Sequence, residues 1–140
     1  MSTPNVLQST TVADLARLVE RVNVKSPELY SRAISGATLV LTGAVSPDPE
    51  SGSTAYRVNG SKAEPYAVDL AGEPGCDCPD ATKRGVQFKN RTYCKHSLSA
   101  LFYAHLVKLV AERQPSRRLA RLQPFRSRQP RRPLRAVAAA

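Results

Sequence analysis

Apolar positions follow two periods along this chain, helical at both ends of its central part and alternating between them. Val12, Leu15, Ala16, Val19 and Val22 recur at three- and four-residue spacing, the mark of a helix with one apolar face. Thr11-Val12-Ala13-Asp14 reads as a capping box opening it. Ser26-Pro27-Glu28 is a second start, a cap residue followed by proline at the first helical position. Leu29, Tyr30, Ala33 and Ile34 supply the face of that second helix, and Gly36 is the expected left-handed stop. A helical hairpin over residues 11–36 follows, with Asn23-Val24-Lys25 at its bend and residues 1–10 as a flexible start. It could complete a small core, cover the domain that follows, or dock a partner.

The β-branched, apolar run 38–45 predicts a first strand, and residues 46–52, with two prolines, a turn. Tyr56 and Val58 alternate with polar neighbours, as do Tyr66, Val68 and Leu70, with a bend at Asn59-Gly60-Ser61. These segments predict a three-stranded antiparallel meander ending at Gly72-Glu73-Pro74-Gly75, where Gly75 supplies backbone freedom just before Cys76. From Cys94 the period is helical again, with Leu98, Leu101, Phe102, His105 and Leu109 on one face, to about Arg113. The fold class is therefore α+β: a small domain of antiparallel meander plus C-terminal helix over residues 37–113, preceded by the short hairpin. Residues 114–140, rich in arginine and proline, read as a disordered basic tail.

Composition changes this picture in two ways. With 140 residues and 41% hydrophobic content, the core is small, and small domains often recruit a metal to offset limited burial. The net charge of +10 is unevenly spread: residues 1–112 hold twelve Lys/Arg and all eleven acids, whereas residues 113–140 hold nine arginines and no acid. The basicity belongs to an appendage. The first twenty residues lack the basic start and apolar run of a signal peptide, and no apolar run approaches the ~20 residues of a membrane span. A soluble intracellular protein in a reducing compartment is expected.

All three cysteines and one of the two histidines fall within 76–96, as Cys76-x-Cys78 and Cys94-x-His96. Three thiolates and an imidazole are the donor set of a structural tetrahedral zinc site. Cysteines one residue apart are poorly placed for a disulfide, and an odd count leaves a thiol over. One structural Zn²⁺ is expected, supplying folding free energy on the order of 10 kcal/mol. Cys94 opens a helix, which favours its thiolate. His96 is expected to bind through one nitrogen while a second-shell acceptor holds the other. His105, half a turn out of phase and within the apolar stripe, reads as a core histidine. Asp77 is expected exposed and Asp80 to cap the turn after Pro79; neither suits a thiolate-rich zinc.

The pattern CDC-PDATKRGVQFKNRTY-CKH resembles the SWIM-type zinc finger, CxC followed by a variable insert and CxH. The flanks match as well: TAYRVNGSKAEPYAVDLAGEPG is similar to the strand pair leading into CxC, Pro79-Asp80 follows Cys78, and CKHSLSALFYAHL resembles the helix carrying CxH. The resemblance covers about residues 53–110. It implies a ββα zinc module of the kind found in transposases, chromatin remodellers and recombination accessory proteins, associated with DNA or with protein partners.

Between the ligand pairs, Lys83, Arg84, Lys89 and Arg91 are interleaved with Phe88 and Tyr93, and Lys95 adds a fifth cation. Such a loop suits phosphates and exposed bases. The same cations would equally balance a site left at −1, and Phe88 would equally serve as a core residue. In the tail, Arg117, Arg118, Arg121, Arg126, Arg128, Arg131, Arg132 and Arg135 suit salt-dependent, sequence-independent phosphate binding. The expected function is a structural zinc module binding nucleic acid, DNA before RNA. The alternative is a protein-interaction adaptor in a recombination, transposition or chromatin-type complex, with the helical hairpin or the zinc module as docking face. No paired carboxylates, nucleophile-base pair or phosphate-cradling glycine loop points to an enzyme, and neither a membrane nor a small-molecule substrate is expected as partner.

Overall fold

The computed structural model describes residues 12–113. Thr11, the flexible start and the arginine tail therefore lie outside the described residues. The chain divides into two compact units after Val110, so the second contributes only residues 111–113, the end of the last helix.

Helix α1, Val12–Lys25, buries Leu15 and Leu18, with Val19 and Val22 packed against the core behind them. A 3₁₀ turn, Pro27–Leu29, leads directly into α2, Tyr30–Leu41. Proline at the first position fixes the entry, Leu29 N–H closes on the Ser26 carbonyl at 3.0 Å, and the Ser26 hydroxyl donates to Glu28 Oε2 at 2.8 Å.

The expectation of a helix stop at Gly36 and a strand over 38–45 is overturned. α2 runs through both, and the first strand, β1, is only Val45–Pro47. Ala33, Gly36, Ala37 and Val40 form one buried face, so the period across this segment is helical. Burial of that face outweighs the β propensity of the segment, and the hydroxyls of Thr38 and of Thr42 at the C-cap find partners in the carbonyls four residues back, both at 3.0 Å. The helix stops at Gly43, whose φ of 73° is left-handed. Gly43 N–H bonds the Val40 carbonyl at 3.1 Å and Ala44 N–H the Leu39 carbonyl at 3.0 Å, the paired bonds of a Schellman motif.

A three-stranded antiparallel meander forms, with its second and third strands where expected and its first displaced into the expected turn. β1 pairs antiparallel with β2, Ala55–Val58, and β2 with β3, Tyr66–Asp69. The register sets Val58 opposite both Val45 and Tyr66, and Tyr56 opposite Val68, so the apolar side chains meet across the strands on one face. The segment between the ligand pairs is more ordered than the loop expected. A π-type turn, Asp80–Arg84, is followed by a hairpin, β4 (Val86–Phe88) with β5 (Arg91–Tyr93). Its two-residue connection, Lys89 and Asn90, has φ of 49° and 63°, the double left-handed geometry of a type I′ turn.

Helix α3, Lys95–Arg113, buries the whole stretch His96–Ala100 and then Phe102 and Leu106. Its inward row is Leu98, Phe102 and Leu106, four apart, whereas Leu101 is 41% exposed and His105 half-buried. The expected stripe was thus rotated by including Leu101 and omitting Leu106. The first turn is enclosed because α2 crosses it at Gly36. A Cβ there would stand 3.0 Å from the Lys95 carbonyl oxygen, 3.1 Å from Ser99 N and 3.3 Å from Leu98 Cβ. Ser99 and Ala100, small and fully buried, face the same crowding.

Gly36→Ala is expected to destabilise the protein by about 1–3 kcal/mol through overpacking against backbone. That exceeds the roughly 1 kcal/mol by which alanine favours a helix. Chemical denaturation of the metal-loaded protein measures the balance, and a more stable variant would refute so close an approach.

Candidate metal centre

Four buried donors converge where β3, the π-type turn and the start of α3 meet. The ligand atoms of Cys76, Cys78, Cys94 and His96 all lie within 4.8 Å of one another, and no disulfide joins the three thiols. Such a group could hold one metal ion. His105 and Asp77 are not in it; Asp77 is exposed between the two cysteines, as expected.

Local structure aims each donor. Gly75, at φ 78°, turns the chain so that Cys76 bridges Val68 on β3, while Asp69 N–H bonds the Gly75 carbonyl at 2.8 Å. Cys78 heads the π-type turn: its carbonyl accepts from Thr82 N–H at 3.1 Å and its sulfur from Ala81 N–H at 3.3 Å. Cys94 caps α3. Its sulfur accepts from Ser97 N–H at 3.3 Å, and Ser97 Oγ accepts in return from Cys94 N–H at 2.9 Å. This reciprocal pair is a capping box with a thiol in the cap position. N–H groups directed at sulfur stabilise thiolates and thiolate ligands.

His96 Nδ1 lies 3.9 Å from Cys76 Sγ, so Nδ1 is the nitrogen that faces the other donors. Nε2 was expected to meet a hydrogen-bond acceptor; instead it is buried with no hydrogen-bond partner among the described residues. An aromatic contact takes that place, with Tyr66 against the imidazole at 4.4 Å between centroids and 31° between planes. Gly60 closes the same side, a Cβ there falling 3.1 Å from Nε2.

The electrostatics fit a cation. The Cys94 thiol is held down to about 3, first by a hydrogen bond from Cys76, then by His96 and the Ser97 N–H, against the opposing effect of burial. The bond to Cys94 and burial push Cys76 up, and burial chiefly pushes Cys78 up. Three thiolates this close repel one another, and a dication among them is what lets all three ionise together.

Two residues that sequence reasoning passed over brace the ligand segments. Arg32 on α2 grips Asp80 through two hydrogen bonds, Nε to Oδ2 at 3.1 Å and Nη2 to Oδ1 at 3.0 Å, and also donates to the Arg84 carbonyl at 3.1 Å. Asp80, expected to cap the turn after Pro79, lies inside the turn instead and commits its carboxylate to the ion pair with Arg32. Its carboxyl is held below the usual range mainly by Arg32, with help from Arg84 and Lys95. Ser97 completes the thiol cap, and its spacing three residues after Cys94 was a readable signal. Nothing in the sequence around Arg32 distinguishes it from any exposed helix cation.

The expected nucleic-acid residues divide. Lys83, Arg84, Lys89 and Lys95 are exposed. Arg91 is turned inward: its guanidinium donates to the Leu70 carbonyl and to the Gly72 carbonyl, the latter at 3.1 Å. With the Glu73 carboxylate accepting from Thr92 N–H at 3.0 Å, it clamps the loop before Cys76 to β5. Phe88 and Tyr93 are half-buried and line a groove beside α1 and α3, and Tyr93 also packs against the core. Arg117, Arg118, Arg121, Arg126, Arg128, Arg131, Arg132 and Arg135 lie outside the described residues. No helix among the described residues is long and apolar enough to cross a membrane. Compared with protein-family models, curated proteins and solved structures, the chain matches nothing.

Cys94→Ala is expected to abolish metal binding and cooperative unfolding together, while Asp77→Ala preserves both; metal stoichiometry and thermal melts check this. Arg32→Ala is expected to cost about 1 kcal/mol, the scale of a part-exposed pair, without changing the one-to-one metal content. Loss of the metal in that variant would show that the pair positions the ligands.

Proposed function

We propose that this chain is a structural zinc-binding module of the SWIM type that binds nucleic acid, DNA before RNA, and adds phosphate affinity through its arginine tail. The observation that carries the zinc part is the buried Cys76, Cys78, Cys94, His96 cluster. Three sulfurs and one nitrogen are a borderline-soft donor set that favours Zn²⁺ over Mg²⁺ or Ca²⁺. Four protein donors fill a tetrahedral shell without leaving a position for substrate water, so the ion's role is to hold the fold. In such a shell a sulfur at about 2.3 Å and a nitrogen at about 2.0 Å from the ion stand roughly 3.5 Å apart. The 3.9 Å between Cys76 Sγ and His96 Nδ1 is close to that separation.

Charge supports the nucleic-acid part. Lys83, Arg84, Lys89 and Lys95 are exposed on and beside the ligand segments, and nine arginines without an acid follow from residue 113 on. With the Arg91 guanidinium and the Tyr93 ring engaged inside the fold, the exposed cations that remain to the module suit contacts to phosphates. Phosphates position a protein on nucleic acid without reading its sequence. The proposed binder is accordingly strong at low salt and indifferent to sequence.

A salt titration tests this, comparing the zinc-loaded full chain with a version whose eight arginines beyond Arg113 are glutamine. For every phosphate that is no longer neutralised, the dependence of log K on log salt should flatten by about 0.9 on duplex DNA. Weakened but measurable binding by the glutamine version, removed by adding Lys83→Glu and Arg84→Glu, is the expected result. A full chain that binds neither duplex nor single strands at low salt would end the proposal.

A further inference from the structure

Between α1, the 3₁₀ turn, the β4–β5 hairpin and α3 lies a groove of about 280 Å³ that neither the metal nor the proposed phosphate contacts use. Leu18, Val22 and Leu29 form one wall, and Phe88, Leu101 and Phe102 face them. Leu101 is the residue that broke the expected inward stripe of α3; 41% exposed, it belongs to this groove instead. Arg21, Lys25 and His105 stand at its edge, and none of its lining residues is acidic. Arg21 and Lys25 are exposed and make neither an ion pair nor a hydrogen bond with any described residue.

We propose that this groove docks an acidic peptide segment of a partner protein, which inserts one or two large apolar side chains while its carboxylates rest on Arg21 and Lys25. The volume sits at the lower end of the roughly 300–1,000 Å³ of small-ligand pockets, room for one or two side chains and no more. Aliphatic side chains and the rings of Phe88, Tyr93 and Phe102 make an apolar lining, which suits an apolar side chain better than a nucleic-acid base. A base brings several nitrogen and oxygen atoms that must keep hydrogen bonds when buried. Of the groove's polar groups, Arg21, Lys25 and His105 stand at the edge and the buried Ser26 hydroxyl is already bonded to Glu28, so few partners remain among the apolar walls. An apolar anchor has no such requirement, and the two unpaired cations complement flanking acids. The groove shares α3 with the metal ligands: Leu98, two residues after His96, also lines it.

The inference stands apart from the nucleic-acid reading, and the two fail separately, because arginine-mediated DNA binding does not use the groove. The test is amide NMR of the zinc-loaded full chain titrated with a short peptide of Asp and Glu carrying one Phe and one Leu. A control peptide has serine at both apolar positions. Saturable shifts at Val22, Leu29, Phe88 and Leu101, absent with the control, are expected. Leu101→Glu, and separately Arg21→Glu with Lys25→Glu, should weaken binding by about tenfold or more with zinc content unchanged. The charge reversals sit on exposed side chains, so they decide the question should Leu101→Glu fail to fold. Shifts confined to residues beyond Arg113, equal binding of the control peptide, or unchanged affinity in the charge-reversed protein would overturn the proposal. So would shifts of the same four amides by single-stranded DNA or by raising the protein concentration, where the peptide leaves them unmoved.

Discussion

Three sulfurs and an imidazole brought to one buried point are the constraint around which the rest of this structure is arranged. Cys76 and Cys78 arrive from a sheet edge, Cys94 and His96 from a helix start, and neither pair reaches the other without the segments around it. The sulfurs are also core: Cys78 and Cys94 rank with Leu98, Val58 and Val68 among the fully buried side chains. Packing and coordination are therefore one problem here. A domain this small draws limited stability from burial, so a site that ties the sheet to the helix contributes where the apolar surface runs out.

The helical hairpin takes part in that arrangement through two contacts of different kinds. Gly36 lets the backbone of α2 lie against the first turn of α3, and Arg32, one turn earlier, holds Asp80 just after Cys78. One contact depends on the lack of a side chain and the other on a long, charged one. Together they set α2 against both ligand-bearing segments, so the hairpin completes the core, the plainest of the three roles its sequence allowed. Its α1 face still leaves a groove beside the β4–β5 hairpin.

What could be read from the residues alone was whatever local period or donor chemistry fixes. The four donors, the inward alternation of Tyr56 and Val58 and of Tyr66 and Val68, and the extent of α3 all follow from spacing. The misreading over 38–45 arose where β-branched residues occupy a helix that tertiary burial favours, with threonine hydroxyls bonded back to the helix carbonyls. Two glycines competed to end α2, and only packing tells a close-approach glycine from a left-handed one. The β4–β5 hairpin was passed over because its strands are three residues each and its turn, Lys89-Asn90, lacks glycine. Arg91 and Arg32 look alike in sequence to the exposed cations; their commitments inside the fold depend on carbonyls and a carboxylate brought near from elsewhere in the chain.

The type I′ hairpin between the two ligand pairs separates two lengths that a plain loop would tie together. Sequence distance from Cys78 to Cys94 is set by the arm, while their spatial distance is set by the π-type turn and the cap of α3. Strand faces repeat every two residues, so adding a residue to each strand twice over extends the arm with its faces preserved, whereas adding one to each turns the outer faces over. The arm can thus change in reach and surface chemistry while the four donors keep one geometry.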